Sequence, residues 1–152
     1  VNASQATSTP QIRNRRTVGG EVAWGSYHSP LIVTLMALDA SVRVRFRAQG
    51  SKAGFEETME LSEFYSGDLE RVTGDGSKHM CRKAKTDSQN LLVKIVLPEE
   101  SLHRTGNFNF FRALTPKIST ENSGIVLAVS GTSYNGVIQS AHMVASGFGF
   151  GR

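Results

Sequence analysis

The chain has 152 residues, of which 39% are hydrophobic and 20% charged, and its formal net charge is +4. This length suits one globular domain, and no apolar run approaches the roughly 18 residues that cross a bilayer. The single cysteine, Cys81, excludes an intrachain disulfide and a cysteine-based zinc cluster, while the mild excess of basic residues favours a polyanionic partner.

The N-terminal third of the sequence predicts an arm followed by a β-hairpin. Residues 1–19 are polar and lack apolar periodicity, which is typical of a flexible or extended arm, and residues 20–152 contain no repeat or second boundary, so we expect them to form a single domain. Residues 31–38 form an apolar run of strand length. Residues 41–48 alternate apolar and basic side chains, as a half-buried strand does. We therefore predict that these two segments pair as a hairpin.

The rest of the chain predicts an antiparallel sheet and two helices. Period-two patterns and turn residues indicate further strands at residues 55–61, 78–85, 90–97 and 107–115. Strands with one polar and one apolar face are typical of an antiparallel sheet. Ile125–Val129 also has the β-branched composition of a strand, but apolar residues between 137 and 148 recur at helical spacing. We therefore predict two C-terminal helices over residues 121–148.

No catalytic constellation is visible in the sequence. Residues 16–21, Arg-Thr-Val-Gly-Gly-Glu, resemble the activation site of trypsin-like proteases, but no Gly-Asp-Ser-Gly motif follows and the chain is too short for two barrels. The four histidines are dispersed without metal-binding spacing, and Cys81 has no partner motif for nucleophilic chemistry. We therefore expect a protein that is not an enzyme, with no catalytic residue, no metal and no cofactor.

Basic and aromatic side chains are spaced to meet on one face of the predicted sheet. Lys94 lies on one predicted strand, Phe108 and Arg112 on the next, and Arg82 on the polar strand before them. Cations hold phosphates by charge and aromatic rings stack on unpaired bases. This pattern fits RNA binding, and it fits a core position for Phe108 and Phe110 equally well.

The order of short motifs in residues 62–152 resembles the coat protein of small single-stranded RNA bacteriophages. The matching motifs are Ser62-Glu63-Phe64, Cys81, Ser88-Gln89-Asn90, Val93-Lys94-Ile95-Val96-Leu97-Pro98, Pro116 and Ser119-Thr120. The resemblance implies an α+β fold, in which an N-terminal hairpin and an antiparallel sheet are followed by two C-terminal helices that interlock in a dimer. An all-β jelly roll is the alternative, and it would form two strands in residues 121–150.

The same resemblance implies a structural capsid protein. Such a protein dimerises, assembles into an icosahedral shell and binds genomic single-stranded RNA on its inward sheet face, without contacting a membrane. It is located in the virion, and in the host cytoplasm during assembly. The RNA-binding positions implied by the resemblance are Lys94, Arg82, Asn90, Leu92, Phe108, Phe110 and Arg112. The alternative functions are an RNA-binding module that forms no particle, and another viral structural or movement protein with a jelly-roll fold.

Overall fold

The computed structural model describes residues 2–6, 9–26, 29–47, 54–65, 71–72, 78–79, 91–99, 106–114 and 125–147. The helices in these ranges are α1 (Asn2–Ala6), α2 (Pro10–Arg13), α3 (Val18–Trp24), α4 (Pro30–Ala37) and α5 (Leu61–Phe64). The strands are β1 (Ser41–Arg47), β2 (Gly54–Glu60), β3 (Arg71–Val72), β4 (Lys78–His79), β5 (Leu91–Val96), β6 (Asn107–Leu114), β7 (Ile125–Tyr134) and β8 (Val137–Ser146). They form antiparallel sheets in the orders β2-β1-β5, β3-β4 and β6-β7-β8.

Helix α4 lies between the two three-stranded sheets and contributes to both hydrophobic cores. Ile32 and Leu35 pack in the cluster that contains the β1 side chains Val42 and Val44. Val33 and Ala37 pack in the other cluster, with two side chains of β7. A helix that is apolar on all sides is stable only when it is buried on all sides, and the two sheets supply that environment.

The predicted strand over residues 31–38 is therefore wrong, because this segment is helix α4. Pro30 starts the helix at a position where its missing N–H costs nothing. Asp39 ends it with a left-handed φ of 53°, and the amide of Ala40 donates to the carbonyl of Leu35 at 3.0 Å. This arrangement is a Schellman C-cap, which turns the chain directly into β1 and replaces the predicted hairpin.

The C-terminal region is a β-hairpin, and the two helices predicted over residues 121–148 are wrong. Strands β7 and β8 pair in antiparallel register around Asn135 and Gly136, which have φ values of 49° and 78°. Positive φ at both central residues defines a type I′ turn, for which Asn-Gly is the favoured sequence. The dipeptide outweighs the helical spacing of the apolar residues, because a tight turn fixes the register of the strands on both sides.

The hairpin is also joined to the α4–β1 connection by a polar side-chain contact. His142 of β8 places its Nδ1 atom 2.7 Å from an Oδ1 atom of Asp39. Both side chains are largely exposed, so this contact contributes little to stability and mainly marks how the second sheet is placed against α4.

The architecture differs from both fold classes that the sequence suggested. A phage coat subunit requires one continuous sheet and C-terminal helices, whereas two small three-stranded sheets with few helices are found within the described ranges. The helices also exclude the all-β jelly roll. Within residues 1–19, where an extended arm was expected, residues 2–6 and 10–13 are helical. In the described part of the chain, no helix combines the length and apolarity needed to cross a membrane.

Candidate functional site

A short glycine turn precedes helix α3. Thr17 has extended backbone angles and caps the helix, because its Oγ1 atom accepts a hydrogen bond of 3.0 Å from the amide of Gly20. The amide of Glu21 donates to the Thr17 carbonyl at 3.0 Å. The first amides of a helix have no intrahelical acceptor, so the N–H groups of Val18 and Gly19 remain for an outside acceptor. We call residues 17–20 the glycine turn.

An ion pair spans the glycine turn. The Nη1 atom of Arg16 donates to Glu21 Oε2 at 2.9 Å, and the Glu21 side chain is only 5% exposed while that of Arg16 is 44% exposed. A buried carboxylate is costly unless it is paired, and Arg16 supplies the pairing. The ion pair therefore compensates the buried Glu21 charge at the start of α3.

Contacts with other elements hold α3 in place. The hydroxyl of Tyr65, which is buried after α5, donates to the carbonyl of Val22 at 2.6 Å. A side chain built at Gly19 would lie 3.9 Å from a methyl of Leu92 on β5. The helix ends at Gly25, whose φ of 69° is left-handed. The glycine turn thus lies at the start of a helix that packs on the sheet β2-β1-β5, which we call the first sheet.

The chemistry available at this turn is anion binding. Amides at a helix start carry partial positive charge, and a Cβ at Gly20 would come 3.0 Å from Thr17 Oγ1, so glycine keeps the turn open. Within the described ranges, no group of three or more histidine, cysteine, aspartate or glutamate side chains is arranged to hold a metal ion.

The residues predicted to bind RNA fall on two separate sheets. Lys94 is exposed on β5, directly opposite Arg43 of β1. Leu92 lies two residues away but packs against the first core, because a register shift between Arg43 and Val44 breaks the period-two alternation of β5. Strict alternation predicted that Lys94 and Leu92 share a face, and the bulge removes that relation.

The other predicted contacts are not brought to Lys94. Phe108, Phe110 and Arg112 lie on β6, which belongs to the other three-stranded sheet. Arg82 and Asn90 lie outside the described residues. The glycine turn was not predicted from the sequence, in which residues 16–21 resembled only a protease activation site. The signal for it was the segment Thr17-Val18-Gly19-Gly20, since a capping residue and glycines at a helix start leave backbone amides open to an anion.

Comparison with known proteins identifies a family for this arrangement. Residues 2–100 match the family model described as the FAD binding domain in molybdopterin dehydrogenase. A search of curated proteins found no match. The matched region includes the glycine turn and all of the first sheet.

Several solved structures share the fold. A carbon monoxide dehydrogenase from Hydrogenophaga pseudoflava, lacking the Mo-pyranopterin moiety of its molybdenum cofactor, has a TM-score of 0.71 at 18% identity, over 95% of this chain and 42% of that chain. Quinoline 2-oxidoreductase from Pseudomonas putida 86 has a TM-score of 0.65 at 14% identity, over 96% and 42%. Reconstituted CO dehydrogenase from Oligotropha carboxidovorans has a TM-score of 0.66 at 21% identity, over 91% and 41%. The chain thus spans less than half the length of these structures.

These matches overturn the functional predictions made from the sequence. The resemblance to a phage coat protein is wrong, and with it the capsid function, the icosahedral assembly from dimers, the RNA partner and the virion location. The predicted lack of enzymatic function is also wrong, because the family is a domain of dehydrogenases. The coat-like motifs were short, and each of them had low specificity. The chain belongs to the family of FAD-binding domains of molybdopterin dehydrogenases.

Proposed function

We propose that this chain provides part of the FAD site of a molybdenum-dependent dehydrogenase, and that the glycine turn holds the diphosphate of the dinucleotide. The observation that carries the proposal is the family match over residues 2–100, which encloses the turn. Thr17 orders the turn, and the amides of Val18 and Gly19 are its donors.

The residues around the turn suit a diphosphate. Gly20 is exposed, so a ligand can reach the turn. A methyl group at this position would crowd Thr17 Oγ1, the atom that caps the helix. Arg15 is exposed just before the turn, and Arg13 donates from its Nη1 atom to the carbonyl of Gln5. These cations attract an anion at long range, and the backbone amides orient it through hydrogen bonds.

The carboxylate of Glu21 opposes an anion at this position. A carboxylate in the first turn of a helix would repel a phosphate by an amount comparable to the roughly 0.3–1 kcal/mol with which the helix dipole attracts it. The pairing of Glu21 with Arg16 at 2.9 Å offsets that repulsion. Because Arg16 remains 44% exposed, its guanidinium has further donors available to a phosphate.

When bound, FAD supplies electron transfer between two-electron and one-electron carriers. The residues described above serve to bind and orient the cofactor, and the oxidised substrate of the whole enzyme is not assigned. The relatives are named for carbon monoxide and quinoline, and each chain extends well beyond the part matched here.

Titration of the full chain with FAD tests this function. We expect FAD to bind with quenching of flavin fluorescence, and ADP, which carries the same diphosphate, to compete for the site. Riboflavin, which has no phosphate, should bind at least about tenfold more weakly, equivalent to about 1.4 kcal/mol. Equal affinity for FAD and riboflavin, or no FAD binding at all, would refute the assignment of the turn.

A further inference from the structure

The first sheet has one face on the hydrophobic core and one face open to solvent. Val42 and Val44 of β1 are buried in the core. Arg43 and Arg45 alternate with them and lie on the opposite face, where Lys94 of β5 is directly across from Arg43. We call the side that carries Arg43, Arg45 and Lys94 the basic face.

Side-chain hydrogen bonds hold the two arginines of the basic face in place. The Nε atom of Arg45 donates to Glu56 Oε1 at 2.9 Å, and Arg43 Nη1 lies 4.0 Å from Glu56 Oε2. The Nε atom of Arg43 donates to Thr58 Oγ1 at 3.2 Å. Each guanidinium has further N–H donors, and both side chains are partly exposed. The arginines are therefore ordered before a ligand binds, which lowers the entropic cost of binding.

The middle row of the basic face has an excess of positive charge. The strand register defines three of its cross-strand rows, which are Thr58–Arg43–Lys94 in the middle, Glu56–Arg45–Leu91 on one side and Glu60–Ser41–Val96 on the other. The middle row holds two cations and no carboxylate. Lys94 forms no ion pair with another residue of the described ranges, and like charges directly across a strand pair are destabilising. A carboxylate from outside, placed between Arg43 and Lys94, offsets that repulsion.

Apolar side chains flank Lys94 along β5. Leu91 is 61% exposed in one neighbouring row, and Val96 is half-buried in the other. Rows on one face of a sheet repeat about every 7 Å, and so do side chains i−2, i and i+2 of an extended polypeptide. An apolar–acidic–apolar pattern at these three positions therefore matches Leu91, Lys94 and Val96 in order.

The composition and shape of the basic face favour a polypeptide over other anionic ligands. Small ligands are usually enclosed in clefts, whereas these rows form an open sheet surface. Single-stranded nucleic acids stack their bases on aromatic rings, and the three rows contain no aromatic residue. Anionic membranes attract clusters of roughly four to eight basic residues, which is more than these rows provide.

We propose that the basic face binds an extended segment of a partner polypeptide, in which an aspartate or glutamate between two apolar residues contacts Arg43 and Lys94. The carboxylate selects the partner by charge, and Leu91 and Val96 contact the flanking apolar side chains. This interaction is independent of the proposed flavin site, because helix α3, which begins with the glycine turn, packs on the core side of the sheet through Val22.

Two matched peptides test the proposal on the full chain. Both have the order Thr-Leu-Thr-X-Thr-Leu-Thr, where X is glutamate in one peptide and glutamine in the other. Fluorescence anisotropy should show the glutamate peptide binding at least about threefold more tightly. This preference should decrease as the salt concentration rises, because salt screens exposed charge pairs.

Substitutions on two sheets locate the binding surface. Lys94→Gln and Arg43→Gln should each weaken the glutamate peptide at least about threefold and leave the glutamine peptide unchanged. Arg112→Gln is the matched control, since it removes the same charge from an exposed position on the other three-stranded sheet, and it should change neither affinity. Circular dichroism checks the fold of each variant.

Carbodiimide coupling tests the contact between the peptide and Lys94 directly. The reagent joins a lysine amine to a carboxylate that touches it, forming an amide with loss of water. Mass spectrometry should find the glutamate peptide joined to Lys94. Lys94→Arg keeps the charge, so this variant should bind the peptide without forming the amide.

Several results would overturn the proposal. One is equal binding of the two peptides, or no binding of either at about 1 mM. Another is coupling of the peptide only to lysines other than Lys94. A third is another occupant whose binding Lys94→Gln weakens, namely a uridine oligonucleotide or phosphatidylserine vesicles that bind more tightly than the glutamate peptide, or a second copy of the chain in sedimentation velocity.

Discussion

The Thr17 cap offers the most direct test of the candidate site. Thr17→Ala removes the acceptor of the 3.0 Å hydrogen bond from the Gly20 amide. Loss of a threonine cap costs about 1 kcal/mol, within a range of about 0.5–2 kcal/mol. For a chain of this length, that loss lowers the melting temperature by about 2–4 °C. Thr17→Ser is the matched control, because it retains the hydroxyl acceptor.

The effect of the same variant on FAD separates a cofactor role from a purely structural one. If Thr17 orders the turn for the diphosphate, the turn of the Thr17→Ala variant becomes ordered only when FAD binds. This ordering adds a free-energy cost of about 1 kcal/mol to binding, which lowers the affinity for FAD about fivefold. Isothermal titration of FAD and riboflavin measures this, and we expect riboflavin to be unaffected. A cofactor role for Thr17 is refuted if Thr17→Ala loses stability but binds FAD as the wild type does, or if Thr17→Ser behaves like Thr17→Ala.

Three further substitutions test the surroundings of the turn and the second sheet. Arg16→Ala leaves the buried Glu21 carboxylate unpaired and should cost about 1–3 kcal/mol in urea unfolding, with part of the loss recovered in Arg16→Lys; an unchanged midpoint would argue against the ion pair. Tyr65→Phe removes the buried donor to the Val22 carbonyl and should cost about 1–3 kcal/mol by the same measurement, whereas a neutral result would mean that another donor replaces it. Gly136→Ala should cost about 1–2 kcal/mol in thermal unfolding from its left-handed φ alone, since no atom lies within 4 Å of the added methyl, and a stabilised variant would contradict the turn assignment.

Little of the candidate site was predictable from the sequence. The segment Arg16–Glu21 was visible as a motif, but its glycines have meaning only once Thr17 is seen to cap a helix. The pairing of Arg16 with Glu21 follows from the helical turn that brings them together. Strand alternation predicted that Lys94 and Leu92 lie on the same face of β5. The bulge in the pairing of β5 removes this relation, because Leu92 packs against the first core while Lys94 lies opposite Arg43. Whether Lys94 and the residues of β6 have a binding role stays a prediction.

Strands in which polar and apolar residues alternate were predictable from the sequence alone. The strands predicted at 41–48, 55–61, 90–97 and 107–115 are confirmed as β1, β2, β5 and β6 within one or two residues. Alternation is a local signal, because a strand with one buried and one open face needs side chains of both kinds in turn.

Where a segment is almost uniformly apolar, long-range packing selects between helix and strand. Residues 31–38 are apolar except for Thr34, and such a run suits a buried strand or a buried helix equally. Burial between two cores makes this segment helix α4. In the C-terminal region, pairing along β6 and the Asn135–Gly136 turn impose a hairpin on residues whose spacing also fits a helix. The deciding interactions in both segments join residues far apart in the chain, and a local pattern does not contain them.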